Sequence, residues 1–281
     1  MNKKACPNMI NNIKIFLLLL LCVPMVSKAQ EEYGQNGELY WQLSLGAFWV
    51  DLTLPKLKGA KSTFSGVSIL ADARVEYKNF YLRVDSGDFF GGADIGYQLW
   101  TNGHEGVDII YGNYHLSFSQ SGYIDDDPTV PTLRGIKERH QDQSFGLAYY
   151  RNVGAYSAVV ELVYDAFGGS DGWVLHGEAT RNFELRNWDV WFNFGVNYYS
   201  GNFIDYFYGV DIDEQSIHLP AYQVNGASSV FTQVQANYPI AVDWVFSAGA
   251  SILVGSSNVT KSPLVESRHA SAVFAGVKYV F

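Results

Sequence analysis

Val67-Ser-Ile-Leu-Ala-Asp-Ala-Arg-Val-Glu-Tyr77 is the stretch on which the fold is decided. Val67, Ile69, Ala71, Ala73, Val75 and Tyr77 share one parity, while Ser68, Asp72, Arg74 and Glu76 share the other. Successive side chains of a strand point to opposite faces, so this pattern predicts a strand with one oily and one charged face.

The same split recurs along the chain. Leu39, Trp41, Leu43, Leu45, Ala47 and Trp49 alternate with Tyr40, Gln42, Ser44, Gly46 and Phe48. Tyr156, Ala158, Val160, Leu162 and Tyr164 oppose Ser157, Glu161 and Asp165. Val190, Phe192, Phe194, Val196 and Tyr198 oppose Asn193, Gly195 and Asn197. Trp244, Phe246, Ala248, Ala250 and Ile252 oppose Ser247, Gly249 and Ser251. The inner-face candidates Asp72, Arg74, Glu76, Arg83, Glu161, Asp165, His176, Glu178 and Lys278 carry too many charges to face a dry core. A wet lumen on that side and lipid on the other satisfy both faces. Trp41, Trp49, Tyr77, Trp173, Trp244 and Tyr279 fall near strand ends, where an interfacial aromatic girdle belongs.

The connections alternate too. Short turns are expected at Lys78-Asn79, Asn102-Gly103, Val153-Gly154, Arg186-Asn187 and Ala241-Val242. Between them lie longer polar stretches at 51–65, 119–143, 200–229 and 256–268, with shorter links near 85–90 and 168–171. Short periplasmic turns and long outer loops are the asymmetry of an outer-membrane barrel. The expected fold is therefore an all-β, antiparallel transmembrane β-barrel of about twelve strands, with both termini periplasmic. Ten is the alternative count, if Phe80–Val84 and Gly92–Trp100 form one bent strand.

Composition agrees with this reading. The 281 residues are 48% hydrophobic, 16% aromatic and only 17% charged, which excludes a disordered chain or a coiled coil. The net charge of −9 argues against a nucleic-acid partner. No apolar run reaches the ~18–20 residues of a spanning helix. Residues 1–29 read as a signal peptide: Lys3, Lys4 and Lys14 precede the apolar Ile15–Met25, and Ser27 and Ala29 stand at −3 and −1 of a cleavage site. Leu21 before Cys22 does not suit lipidation. Cleavage near Ala29 removes four lysines, both cysteines and no acid, leaving 15 basic against 28 acidic residues, or −13. The remaining 30–281 form the barrel, with neither a disulfide nor a thiolate metal site available. The end of the chain, with Val277, Tyr279 and Phe281 on one parity, resembles the closing strand read by the barrel-insertion machinery.

Several stretches resemble the MltA-interacting protein family, also called MipA/OmpV. Ser262-Pro263-Leu264-Val265 precedes a final strand of the type Ala-Gly-Val-Lys-Tyr-Val-Phe; Tyr206-Phe207-Tyr208-Gly209-Val210 resembles a Tyr-rich element of the family, and Gly96-Tyr97-Gln98-Leu99 its early Gly-Tyr-x-Leu strand. The similarity runs over roughly 38–281. It implies an outer-membrane barrel of a Gram-negative cell, in contact with lipid and lipopolysaccharide. In the best-known member it also implies a scaffold joining a lytic transglycosylase to a bifunctional penicillin-binding protein. The family brings no agreed catalytic motif.

Other chemistries are weaker. His269 and Ser271 share a face on the lipid side, with Glu266 near in sequence, a pattern similar to a lipid A deacylase. The residues after the Ser are Ala272-Val273 instead of that enzyme's Asn-Ala. Asp125-Asp126-Asp127 and the group Asp205, Asp211, Asp213 and Glu214 read as solvated acidic loops. No phosphate-cradling Gly loop, zinc His-Glu-x-x-His or esterase Gly-x-Ser-x-Gly is present. No catalytic residue, metal or cofactor is expected. The function read from the sequence is structural or scaffolding, with a small cation-preferring porin as the alternative. The inner charges suit a plugged lumen or a pore lining equally.

Overall fold

The computed structural model describes residues 38–85, 93–115 and 133–281. The acidic run Asp125–Asp127 and residues 1–29, expected as a signal peptide, lie outside the described residues.

Twelve antiparallel strands close on themselves. In chain order they are β1 (Leu39–Thr53), β3 (Thr63–Tyr77), β4 (Phe80–Val84), β5 (Ala93–Thr101), β6 (Glu105–Gly112), β7 (Ser144–Val153), β8 (Tyr156–Asp165), β9 (Trp173–Leu185), β10 (Trp188–Tyr199), β11 (Ala227–Ala241), β12 (Trp244–Gly255) and β14 (His269–Val280). Two short strands, β2 (Lys56–Leu57) and β13 (Val265–Ser267), pair with each other between the first and last long loops. Among the described residues, two helices, α1 (Gly201–Tyr208) and α2 (Ser257–Thr260), also lie in long loops.

Closure is made by β1, which pairs with β3 from Leu39↔Tyr77 to Thr53↔Thr63 and with β14 from Ser44↔Val280 to Thr53↔Ser271. A closed sheet has no edge to expose to lipid, which is why strands cross a membrane only as barrels. Phe80–Val84 and Ala93–Thr101 are separate strands paired through Arg83↔Asp94, so the count is twelve. The region was ambiguous because β4 has only five residues and β5 carries a bulge between Gln98 and Trp100.

Alternation sets the two faces. Leu45, Trp49, Val67, Ile69, Phe145, Leu147, Val160, Leu162, Phe192, Phe194 and Val273 are exposed on the outside, and Ser44, Asp108, His176, Asn197, Ser229 and Ser247 are buried inside. Isolated in water, that outer surface would be an unusually large apolar patch. In a bilayer it is solvated by lipid tails.

One end carries tight turns, where Lys78, Gly154, Arg186 and Asp243 take positive φ. Two-residue hairpin turns need this left-handed backbone to match the twist of their strands. The other end carries the long loops. Contrary to a simple polar stretch over 200–229, this loop begins with α1. Ser200 caps it by accepting from the Phe203 N–H, and the i, i+3 and i+4 spacing puts Phe203, Ile204, Phe207 and Tyr208 on one buried face. The expected loop at 51–65 is likewise shorter, because β1 and β3 extend to Thr53 and from Thr63.

Candidate functional site

Inside the barrel, bulky rings lie against glycines on neighbouring strands. A Cβ on Gly195 would stand 2.2 Å from the Phe231 ring, one on Gly249 2.6 Å from Phe274, and one on Gly276 2.5 Å from Phe48. Phe48, Phe231 and Phe274 are themselves buried. The glycines thus leave room for aromatic rings that lie against the inner wall of the cylinder.

Polar groups share the inner face with these rings and with aliphatic residues such as Ile110, Val163 and Val174. Asp72 on β3 accepts from the Ser44 hydroxyl at 2.9 Å and from the Lys278 ammonium at 2.8 Å, linking β1, β3 and β14 at the closure. Arg74 pairs with Glu76 at 2.6 Å and lies over the Tyr40 ring. Arg83 stacks on Tyr81 at 4.2 Å, and the Tyr81 hydroxyl donates to Asp108. Glu161 accepts from the Tyr114 hydroxyl at 2.6 Å. His176 lies 2.7 Å from Asn197, whose amide donates to Ser229. Glu178 accepts from the Thr180 hydroxyl.

Asp165 behaves differently from the other inner acids. It ends β8 at the long-loop rim and is fully buried. Its carboxylate accepts from the Gln143, Gly168 and Ser170 N–H groups and from the Ser170 hydroxyl. It organises the 166–172 link.

Above this interior the long loops converge into a cap. Its apolar core contains Leu57, Leu133, Ile136, Phe203, Ile204, Phe207, Tyr208, Val210, Leu219, Val224, Val259, Leu264 and Val265. His115 stacks on Phe207 with ring centroids 3.9 Å apart, and its Nε2 lies 2.9 Å from the Tyr208 hydroxyl. The stretches Tyr206–Val210 and Ser262–Val265 meet here, since the Ser262 hydroxyl donates to the Tyr208 carbonyl at 2.6 Å. Tyr206 accepts from the His140 N–H and lies under Arg139. The Gly209 N–H donates to the Asp205 carbonyl, where a side chain would collide with Asp205. Pro263 follows Ser262 in the same turn and is half-buried.

Charged groups pin the cap. Arg139 and Glu214 form a buried pair at 2.8 Å. Burial pushes the Glu214 carboxyl up, but the Arg139 hydrogen bond and the Lys137 and Asp211 N–H donors outweigh it and hold it below its ordinary value. Lys137 reaches Asp211 and Asp213 at the surface. Asp142 accepts from the Tyr114 and His115 N–H groups and from Ser144, while Asn113 donates to its carbonyl. Burial nevertheless pushes the Asp142 carboxyl up to about 6. The acidic loop group was therefore only partly a solvated face: Glu214 is buried, whereas Asp211 and Asp213 are exposed.

On the outer face, His269 and Ser271 point away from the lumen, at the start of β14. Glu266 is held by Lys56 at 2.8 Å, so its carboxylate is engaged across the β2–β13 pair. Val277 and Tyr279 also face outward, and the Tyr279 ring lies 5.2 Å from Trp244. Phe281 is exposed. Among the described residues, no three His, Cys, Asp or Glu side chains cluster as metal ligands.

A model of the family described as MltA-interacting protein MipA matches residues 52–281. The chain belongs to that family. It is 25% identical over 259 residues to the outer membrane protein Omp26La of Vibrio anguillarum, covering 90% of this chain and 93% of the relative. It is 25% identical over 194 residues to the MltA-interacting protein of Escherichia coli K12, covering 69% and 76%. Similarity to the putative outer membrane protein YiaT of the same strain is 24% over 150 residues, which is 53% of this chain and 61% of YiaT. With these relatives and a closed barrel of outer-membrane type, the chain is an outer-membrane protein. Barrels of this type generally place their short turns in the periplasm and their long loops outside the cell.

Proposed function

We propose that this member of the family is a structural barrel with a non-conducting lumen, whose periplasmic turns hold enzymes of peptidoglycan metabolism. The observation that carries the closed reading is the cap: the apolar face of α1 and the surrounding loops bury their side chains together over the extracellular mouth. Rings wedged against glycines support it from below. The scaffold reading draws on the relative whose name states that it interacts with MltA. Its partners would be a lytic transglycosylase and a bifunctional penicillin-binding protein. Crosslinking in intact envelopes, followed by pull-down and mass spectrometry, tests this; recovery of neither enzyme removes the scaffold role.

A second reading, a cation-preferring porin, is favoured by the inner carboxylates Asp72, Glu76, Glu161 and Glu178. Planar bilayers separate the two. The closed barrel is electrically silent, whereas steady ohmic, cation-selective openings replace it with the porin. We also propose that the protein is not an enzyme. Ser271→Ala leaves the lipid A mass spectrum unchanged, because Glu266 is engaged by Lys56. Cleavage of the leader near Ala29 is tested by N-terminal sequencing of the purified protein, which begins at Gln30. Removal of Phe281, the last residue of the insertion signal with Val277 and Tyr279, lowers the assembled fraction in the outer membrane.

A further inference from the structure

Between the cap and the barrel wall lies a cavity of about 120 Å³. Four long loops contribute to it, through Leu54 and Pro55, Tyr114 and His115, Ile204 and Tyr208, and Val259 and Arg268. Its walls are mainly aromatic and aliphatic. In size it compares with cavities of about 150 Å³ that admit benzene, so it holds one six-membered ring. Although the chain carries 28 acidic against 19 basic residues, no Asp or Glu lines this cavity and one arginine does. Arg268 is half-buried, and among the described residues no acidic side chain pairs with it. A guanidinium beside an apolar pocket binds a planar carboxylate through paired N–H donors while the pocket takes the apolar body.

We infer that this cavity is a binding site for a small aromatic carboxylate, with the ring among Tyr114, Tyr208, Ile204 and Val259 and the carboxylate on Arg268. The site is independent of whether the lumen conducts, since it is built by the cap and the rim.

The test uses the full-length protein in detergent and 4-fluorobenzoate as the probe, followed by ¹⁹F NMR. The wild type shows single-site saturation, with benzoate displacing the probe and benzyl alcohol competing at least tenfold more weakly. Arg268→Gln weakens binding at least tenfold, Arg268→Lys falls between, and Arg134→Gln, at an exposed loop position, is unchanged. Val259→Trp fills the cavity and abolishes saturation. Circular dichroism of each variant checks that the barrel is intact, and the graded Arg268 pair decides the matter should Val259→Trp fail to fold. Absence of saturation in the wild type, or unaltered affinity in Arg268→Gln, overturns the site.

Discussion

At the scale of single residues, the inner face is governed by contacts too close for an added methyl group. Gly195 is the sharpest case, because its neighbour Phe231 is buried with nowhere to retreat. Gly195→Ala should therefore destabilise the barrel by about 1–3 kcal/mol through overpacking. A lowered urea midpoint in detergent would show it; an unchanged midpoint would mean that the ring moves freely. Asp142 makes a pH prediction. Its folded value of about 6 lies above the ordinary carboxyl value of about 4. The folded cap thus binds more protons than the unfolded one between those values, and stability from this group falls as pH rises from about 4 to about 6, then stays level. Protection factors of the Val210 and Tyr222 amides, which pair with each other in the cap and do not donate to Asp142, should decline over that window once corrected for intrinsic exchange. A rise across it would contradict the assignment. Glu214, held low by Arg139, contributes in the opposite sense, losing its stabilisation as pH falls through its folded value.

At the scale of elements, α1 is a short helix that exists because of what it packs against. Eight residues make a marginal helix alone. Its Ser200 cap and its contacts with Tyr199 and His115 hold it over the mouth. Phe207→Ala removes a fully buried ring and should cost about 3–5 kcal/mol locally. Because the strands do not depend on the cap for pairing, the loss should appear as faster proteolysis within 200–226 and as transient conductance, with the barrel melt nearly unchanged. A fall in the barrel melt equal to the whole loss would refute this separation. The same element illustrates what remained unread in the sequence. Ser200 and the spacing of Phe203, Ile204, Phe207 and Tyr208 were a helix signal inside a stretch expected to be polar loop. Strand alternation on both sides obscured it.

At the scale of the whole molecule, closure makes the barrel one cooperative unit. All seven tryptophans lie on its strands, so their fluorescence reports the barrel and not the cap. A single transition is expected in detergent. Lys278→Ala, which takes one partner from Asp72 at the closure, should lower its midpoint by about 1–2 kcal/mol equivalent while leaving the transition single. Two resolved transitions would show that the closing strands and the rest unfold separately.

The alternation of oily and polar residues determined, without any structure, that this chain forms strands with a lipid face and a lumen face. That property is local, since a strand's backbone sends each side chain opposite to the last. Tight turns were legible for the same reason at Lys78-Asn79 and Arg186-Asn187. What only the tertiary structure decided is how the distant pieces meet. It sets Lys278 beside Asp72, Ser262 against Tyr208, and Arg139 against Glu214, pairs separated by 206, 54 and 75 positions. Those contacts depend on the register of closure and on the folding of long loops over one mouth. Neither is encoded in a repeat of two, because the repeat specifies which face a residue takes and not which residue it finds there.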